Sequence, residues 1–165
     1  MKYQMREQMF AIGDDYWIET ADGQPAFKVD GKALRIRKTL ILETPEGAEV
    51  LTIQKKLLSI RDQMEIERDG MTVATVAKAL LTPLRDRFSI EVEAGGGMVA
   101  KGDIVDHEYR IDRDGDTVAE ISKRWFRMRD TYGIDIAHGQ DDALILAVAV
   151  CIDQICPQRA VTVGG

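Results

Sequence analysis

The sequence predicts a mainly β fold: about twelve antiparallel strands closed into a barrel around one buried apolar helix at about 141–156. Three observations carry this expectation. A unit of about 23 residues recurs, opening on the acid-glycine pairs Asp22-Gly23, Glu46-Gly47, Asp69-Gly70 and Asp114-Gly115. Apolar and polar residues alternate with period two through much of each unit, which gives a strand one dry and one wet face. The pattern then stops at Asp141-Asp142, and the run Ala143–Ile152 that follows is apolar on every helical face. Such a helix must be buried all round. A barrel of about twelve strands is too wide for its own side chains to fill, so the helix is expected along its axis.

Each element follows from local pattern. Phe10–Ile12 and Tyr16–Thr20 supply two strands ahead of the Asp22-Gly23 turn. Leu34 and Ile36 alternate with Arg35 and Arg37 in the first copy. The best-matched copies are 46–66 (EGAEVLTIQKKLLSIRDQMEI), 69–90 (DGMTVATVAKALLTPLRDRFSI) and 114–136 (DGDTVAEISKRWFRMRDTYGIDI). In each, one strand runs through Val-x-x-Ile or Val-x-x-Val to a Lys. A second follows an Arg-Asp pair: Arg61-Asp62, Arg85-Asp86 or Arg129-Asp130. Val50, Ile53 and their counterparts are core candidates, as are Met64 and Ile66, Phe88, Ile90 and Val92, and Tyr109 and Ile111. Gly97–Ile111 reads as a shortened fifth unit after the Gly-rich Ala94–Gly97. Asp-Gly favours the positive φ of tight hairpins, and Glu46-Gly47, after Pro45, is the weaker case. A meander of this length either closes, which removes its edges, or splits into two sheets. Asp141 and Asp142 suit a helix start, and Pro157 ends the run. A strand is the competing reading of Leu144–Ile152, given its β-branched residues. Residues 1–156 are expected to form a single domain, with 157–165 a loose tail.

Composition narrows the function classes. The 165 residues are 45% hydrophobic and 30% charged, with a formal net charge of -6. That balance disfavours non-specific nucleic-acid binding, which needs surplus Lys and Arg. Met1–Phe10 is too polar for a signal peptide, and Ala143–Ile152 is about half a bilayer span. A cytoplasmic protein without a transmembrane segment is expected. Cys151 and Cys156 lie five apart in the helical run and do not share a face, so they read as reduced buried thiols rather than a disulfide.

The stretches FKVDGKALRIRKTLIL (27–42), LTIQKKLLSIRDQMEI (51–66), DGDTVAEISKRWFRMRDTYGIDI (114–136) and DDALILAVAVCIDQI (141–155) resemble the LURP-one-related family. The resemblance runs from about Tyr3 to Ile155 and is most specific around Trp125 and Tyr132-Gly133. It implies the tubby C-terminal-like fold, shared with phospholipid scramblases: a roughly twelve-stranded barrel around a buried C-terminal helix. It implies no particular reaction, since fold does not fix function. Tubby domains bind phosphoinositides through basic residues, and no motif of this chain aligns with that site residue by residue.

Lys55, Lys78 and Lys123 share one repeat position, and Arg37, Arg61, Arg85 and Arg129 share another. Equivalent positions recur around a barrel, so Lys55, Lys56, Lys78, Lys123, Arg124 and Arg129 form a candidate surface for an anion or headgroup. Solvated strand faces paired with the adjacent Asp62, Asp86 and Asp130 are the plainer reading. Trp125 and Phe126, adjacent in a strand, would face opposite ways, leaving Trp125 as a candidate exposed aromatic contact; Trp17 beside Tyr16 poses the same question. His107, among Asp103, Asp106 and Glu108, and His138 lack the spacing of a metal site. No nucleophile signature surrounds Ser59, Ser89 or Ser122, and Gly95–Gly97 lacks the Lys-Ser/Thr of a phosphate loop. No catalytic, metal or cofactor residues are assigned. The sequence therefore points to a non-enzymatic binding or scaffold module for a membrane phospholipid headgroup or a protein partner. A carrier of a small apolar or lipid-like ligand inside the barrel is the alternative. An enzyme using the rim carboxylates Asp135, Asp141 and Asp142 is weaker.

Overall fold

A computed structural model describes residues 1–6, 15–32, 39–79, 87–126 and 131–156. Twelve strands, one 3₁₀ turn and one α-helix follow in chain order. The strands are β1 (Lys2–Arg6), β2 (Tyr16–Thr20), β3 (Pro25–Lys32), β4 (Thr39–Glu43), β5 (Glu49–Lys55) and β6 (Gln63–Arg68). They continue as β7 (Met71–Lys78), β8 (Arg87–Val92), β9 (Met98–Asp103), β10 (Glu108–Arg113), β11 (Asp116–Ser122) and β12 (Thr131–Ile136). A 3₁₀ turn, Lys123–Trp125, follows β11, and α1 spans Asp142–Ile155. Each strand pairs antiparallel with its chain neighbours, and β1 pairs with β12 to close the ring. The predicted strand at Phe10–Ile12, the residues Leu34–Arg37, the pairs Arg85-Asp86 and Arg129-Asp130, and the tail 157–165 lie outside the described residues. The structure adds a strand not predicted from the sequence, β1, where buried Tyr3 and Met5 alternate with Lys2 and Gln4.

The acid-glycine pairs all fall in short connections at one end of the barrel. Asp69 and Gly70 both take positive φ (52° and 78°), as do Asp114 and Gly115 (51° and 89°). Two such residues in succession match the twist of the strands they join. Asp22-Gly23 and Glu46-Gly47 instead share a second design. The glycine N–H bonds back to the carbonyl of Thr20 or Thr44, both at 2.9 Å. The same threonine's hydroxyl accepts from the N–H after the glycine, at 3.2 Å in each case. Glu46-Gly47 is thus no weaker than its counterpart.

Register explains the Val-x-x-Ile spacing, which does not fit a regular strand. Residues three apart face opposite sides of a regular strand, yet Val118 and Ile121 are both buried. Leu42 opposes Leu51 and Glu43 opposes Glu49, so Val50 is an extra residue in its ladder. Val73 is skipped in the same way between Ala74 and Thr72, Val118 between Ala119 and Thr117, and Ala26 between Phe27 and Pro25. Each is a β-bulge, which sharpens twist and bends the strand. Four bulges spaced around the meander supply curvature for closure. Ile53, Val76 and Ile121 are core residues as expected, while Val50 and Val73 pack on the core's margin.

The helix fills the interior. Every residue from Leu144 to Asp153 is buried, and α1 packs against β5, β6, β7 and β12. Asp141 caps it, its carboxyl accepting from the Leu144 N–H at 3.2 Å, while Arg68 holds the same side chain at 2.8 Å. Tyr3 donates to Asp142 at 2.7 Å, which ties the helix start to β1. The inward residues Ile18, Val29, Leu42, Leu51, Ile53, Ile66, Val76, Phe88, Ile90 and Ile111 close around it.

Deleting Val73 removes a bulge and turns one end of β7 to the wrong face. Thermal unfolding followed by circular dichroism should then lose its cooperative transition. Val73→Ala keeps the bulge and should cost only about 1 kcal/mol.

Candidate binding surface and the polar end of the barrel

Because the strands alternate in direction, connections from odd to even strands all lie at the end opposite the acid-glycine turns. The repeat's lysines therefore fall at this long-connection end. Lys55 and Lys78 are the last residues of β5 and β7, and Lys123 directly follows β11. Lys55 is exposed; Lys78 and Lys123 are half-buried. Lys56 pairs with Glu65 at 3.4 Å. Among the described residues no ion pair joins Arg61 to Asp62, so the pairing expected there does not form. Arg129 lies outside the described residues.

Arg124 and Trp125 belong to the 3₁₀ turn, not to a strand. Ser122 caps it, its hydroxyl accepting from the Arg124 N–H at 3.1 Å. Glu108 accepts from the Ser122 hydroxyl at 2.9 Å and from the Lys123 N–H at 3.1 Å. Leaving the strand removes the predicted alternation. Trp125 and Phe126 lie together over Gly133 of β12, where an added Cβ would stand 2.7 Å from one ring and 2.6 Å from the other. Glycine is required there by close approach. Trp125 is consequently half-buried, with the Lys2 ammonium 5.0 Å from its ring centre. Trp17 is the more exposed indole.

An outward groove of about 710 Å³ lies beside this turn, across β8 to β11. Its floor carries a row that sequence reasoning missed. Arg87, Lys101 and Arg110 stand directly opposite one another on β8, β9 and β10, with Glu120 next in line. Arg124 and Trp125 close the groove from the 3₁₀ turn. Like charges opposite one another on adjacent strands are unfavourable. Asp112 relieves two of them, contacting Lys101 at 2.9 Å and Arg110 at 3.1 Å. Burial works to raise the Asp112 carboxyl, but hydrogen bonds from Lys101 and Thr117 and the nearby Arg110 outweigh it and hold the group below its usual range. Arg124 stands 3.7 Å from Glu108. Arg87 has no ion-pair partner among the described residues. Outward positions were readable from the sequence; which of them align across strands depends on register, which was not.

Inside the same end, the apolar core gives way to a polar layer. Asp153, in the last turn of α1, is buried. Its carboxyl accepts from the Tyr132 hydroxyl, and its other oxygen lies 3.1 Å from His107 Nε2. The His107 ring stacks on Tyr132 with centres 4.1 Å apart. Tyr16 and Tyr109 are buried beside them. Burial first, then the nearby Asp153, pushes the hydroxyls of Tyr16, Tyr109 and Tyr132 well above the usual tyrosine range. Tyr3 is raised as well, by burial and its bond to Asp142. His107 is thus a pin for the plug and not part of a surface acidic cluster. No disulfide joins Cys151, which is buried, to Cys156, which is only half-buried, and burial pushes the Cys151 thiol far up.

The remaining candidates are dispersed. Asp141 and Asp142 serve the helix start, and Asp135 pairs with Lys2 at 4.0 Å and the Met1 amine at 3.8 Å. Among the described residues no group of His, Cys, Asp and Glu could hold a metal ion, and no helix is long and apolar enough to cross a membrane.

A family model described as LURP-one-related matches residues 1–153. The uncharacterized protein YxjI of Bacillus subtilis (strain 168) is 30% identical over 152 residues, covering 92% of this chain and 91% of its own. A solved Arabidopsis thaliana protein superposes with a TM-score of 0.69 at 15% identity, covering 93% of this chain and 91% of that one. At that identity the likeness speaks for the fold alone.

All four tyrosines of the chain hold their protons more tightly folded than unfolded. Their contribution to stability is full below about pH 10, the unperturbed value, and is lost as pH climbs beyond it. Tyrosinate absorbance should rise in one cooperative step that coincides with loss of circular dichroism; independent ionisation below that step would contradict the burial. Asp153→Ala strands the Tyr132 hydroxyl and should cost about 1–3 kcal/mol by denaturant unfolding.

Proposed function

The chain belongs to the LURP-one-related family, and from that premise we propose that it is a non-enzymatic binding module whose ligand is an anionic phospholipid headgroup held in the β8–β11 groove. The observation that carries this reading is the cation row Arg87–Lys101–Arg110 meeting Arg124 and Trp125 across one groove. Guanidinium groups present planar forks that suit phosphate oxygens, and an indole beside them offers an apolar edge to the glycerol end of a headgroup. An arrangement unfavourable to folding gains a reason when an anion occupies it. The lysines of the repeat, gathered at the same end, add an attractive field.

The competing readings have less support. A carrier needs room beside the helix, and the burial of every residue from Leu144 to Asp153 speaks against such space. Asp135, Asp141 and Asp142 each have a structural partner, so a rim-carboxylate enzyme has no convergent pair to start from.

Titration with glycerophosphoserine, followed by amide chemical shifts, tests the groove. Shifts should centre on Arg87, Lys101, Arg110 and Trp125 and weaken with salt. Arg87→Glu with Arg110→Glu should weaken binding about tenfold or more, given about 1.5–3 kcal/mol for a charged hydrogen bond. A wild-type spectrum unmoved by the headgroup sinks the reading.

A further inference from the structure

The repeat places an apolar pair after its Lys, and the structure treats two copies of that pair oppositely. In the β11–β12 copy, Trp125 and Phe126 fold back over Gly133. In the β5–β6 copy the matching residues, Leu57 and Leu58, stand largely in the open: Leu57 is 55% exposed, Leu58 99%, and nearby Ile60 102%. The Lys56 N–H closes the hairpin onto the Gln63 carbonyl at 3.0 Å and the Lys78 N–H of β7 reaches the Asp62 carbonyl at 3.5 Å, so Leu57–Arg61 projects beyond the sheet as a tip. The Arg61 N–H bonds to the Ser59 hydroxyl at 3.2 Å, which folds the tip locally. A connection of this kind in a soluble hairpin is normally polar. Three large aliphatic side chains at a convex tip are a feature that asks for a partner.

We infer that the β5–β6 tip is a bilayer anchor: Leu57, Leu58 and Ile60 enter the apolar layer of an anionic membrane while Lys55, Lys56 and Arg61 engage the headgroups around it. The inference rests on the membrane reading above and deepens it by naming the segment that inserts. Charge selects this occupant. Three cations flank the tip against two carboxylates, Asp62 and the Glu65 that pairs with Lys56, in a chain whose net charge is -6. Each basic residue near an anionic surface strengthens association about fivefold, and aliphatic burial adds the part that salt does not screen. A protein partner would have to supply a pocket for each side chain, whereas a bilayer accepts a projecting tip without shape matching. The tip and the groove lie at the same end of the barrel, so one approach to a membrane serves both.

Vesicle flotation tests this with phosphatidylcholine vesicles prepared with and without phosphatidylserine. Wild type should float with the anionic vesicles and much less with neutral ones. Leu58→Ser with Ile60→Ser, both exposed and so harmless to the fold, should reduce flotation about tenfold or more. Lys55→Glu with Arg61→Glu should do the same, and high salt should mimic it. Quenching of Ile60→Trp fluorescence by brominated acyl chains should report entry directly. The anchor is overturned if the serine pair floats like wild type. It is also overturned if wild type self-associates with rising concentration, the serine pair does not, and neither floats, since the tip then serves a second copy. Glycerophosphoserine binding to the groove separates the two claims: intact headgroup binding without flotation removes the anchor alone, and flotation without headgroup binding removes the groove alone.

Discussion

A ring of twelve strands encloses more space than its inward side chains can fill, and everything else in this molecule depends on how that space is occupied. The solution is a single helix, apolar on every face, whose residues from Leu144 to Asp153 are all buried. Its two ends are held differently. At the entry, Asp141 caps the helix while Arg68 grips the cap, and Tyr3 reaches Asp142 from the wall. At the exit, Asp153 is clasped by Tyr132 and faces His107. Apolar packing alone is indifferent to modest rotation of a greasy cylinder. Polar contacts at both ends fix its depth and its angle, a use of buried polarity for uniqueness that the energetics of such groups allows.

The repeat can be understood as a recipe for this container. Its acid-glycine opening turns the chain, its valine inserts a bulge that bends the strand, and its lysine ends the strand at the far rim. Repetition in a meander therefore sorts charge along the barrel axis. Acids gather at the tight turns and lysines at the long connections. The polar layer under the long connections and the groove beside them lie at the same end, so the departures from plain barrel packing are concentrated where the connections are longest. Sites built on irregular connections over a rigid scaffold follow the usual division of labour.

Much of the fold was legible because it rests on local periodicity. Alternation marked Met64, Ile66, Phe88, Ile90, Tyr109 and Ile111 as inward, and all are buried. The apolar run after Asp141-Asp142 marked the plug. Lys2–Arg6 alternates cleanly, but with only Tyr3 and Met5 apolar its strand signal is faint beside the more apolar Phe10–Ile12. The bulges leave one trace in the sequence, the misfit of Val-x-x-Ile with period two, which the surrounding alternation masks. Trp125 and Phe126 look like strand in the sequence because the Ser122 cap is a weak signal beside two aromatics. The Asp153–His107–Tyr132 contact joins three distant segments, and its one local sign was a carboxylate ending an apolar helix. The row Arg87–Lys101–Arg110 likewise exists only once three strands take their register.

The seam between β1 and β12 has a consequence for how the molecule comes into being. Met1 donates to the carbonyl of Ile136, 135 positions away, and the plug follows later still. During synthesis β1 waits for β12, and the inward faces of all twelve strands stay wet until the helix arrives. Contacts so distant in sequence slow folding, and open strand edges invite association in the meantime. Closure is thus a late event for the whole ring at once, with the helix that follows all twelve strands completing the core on which they depend.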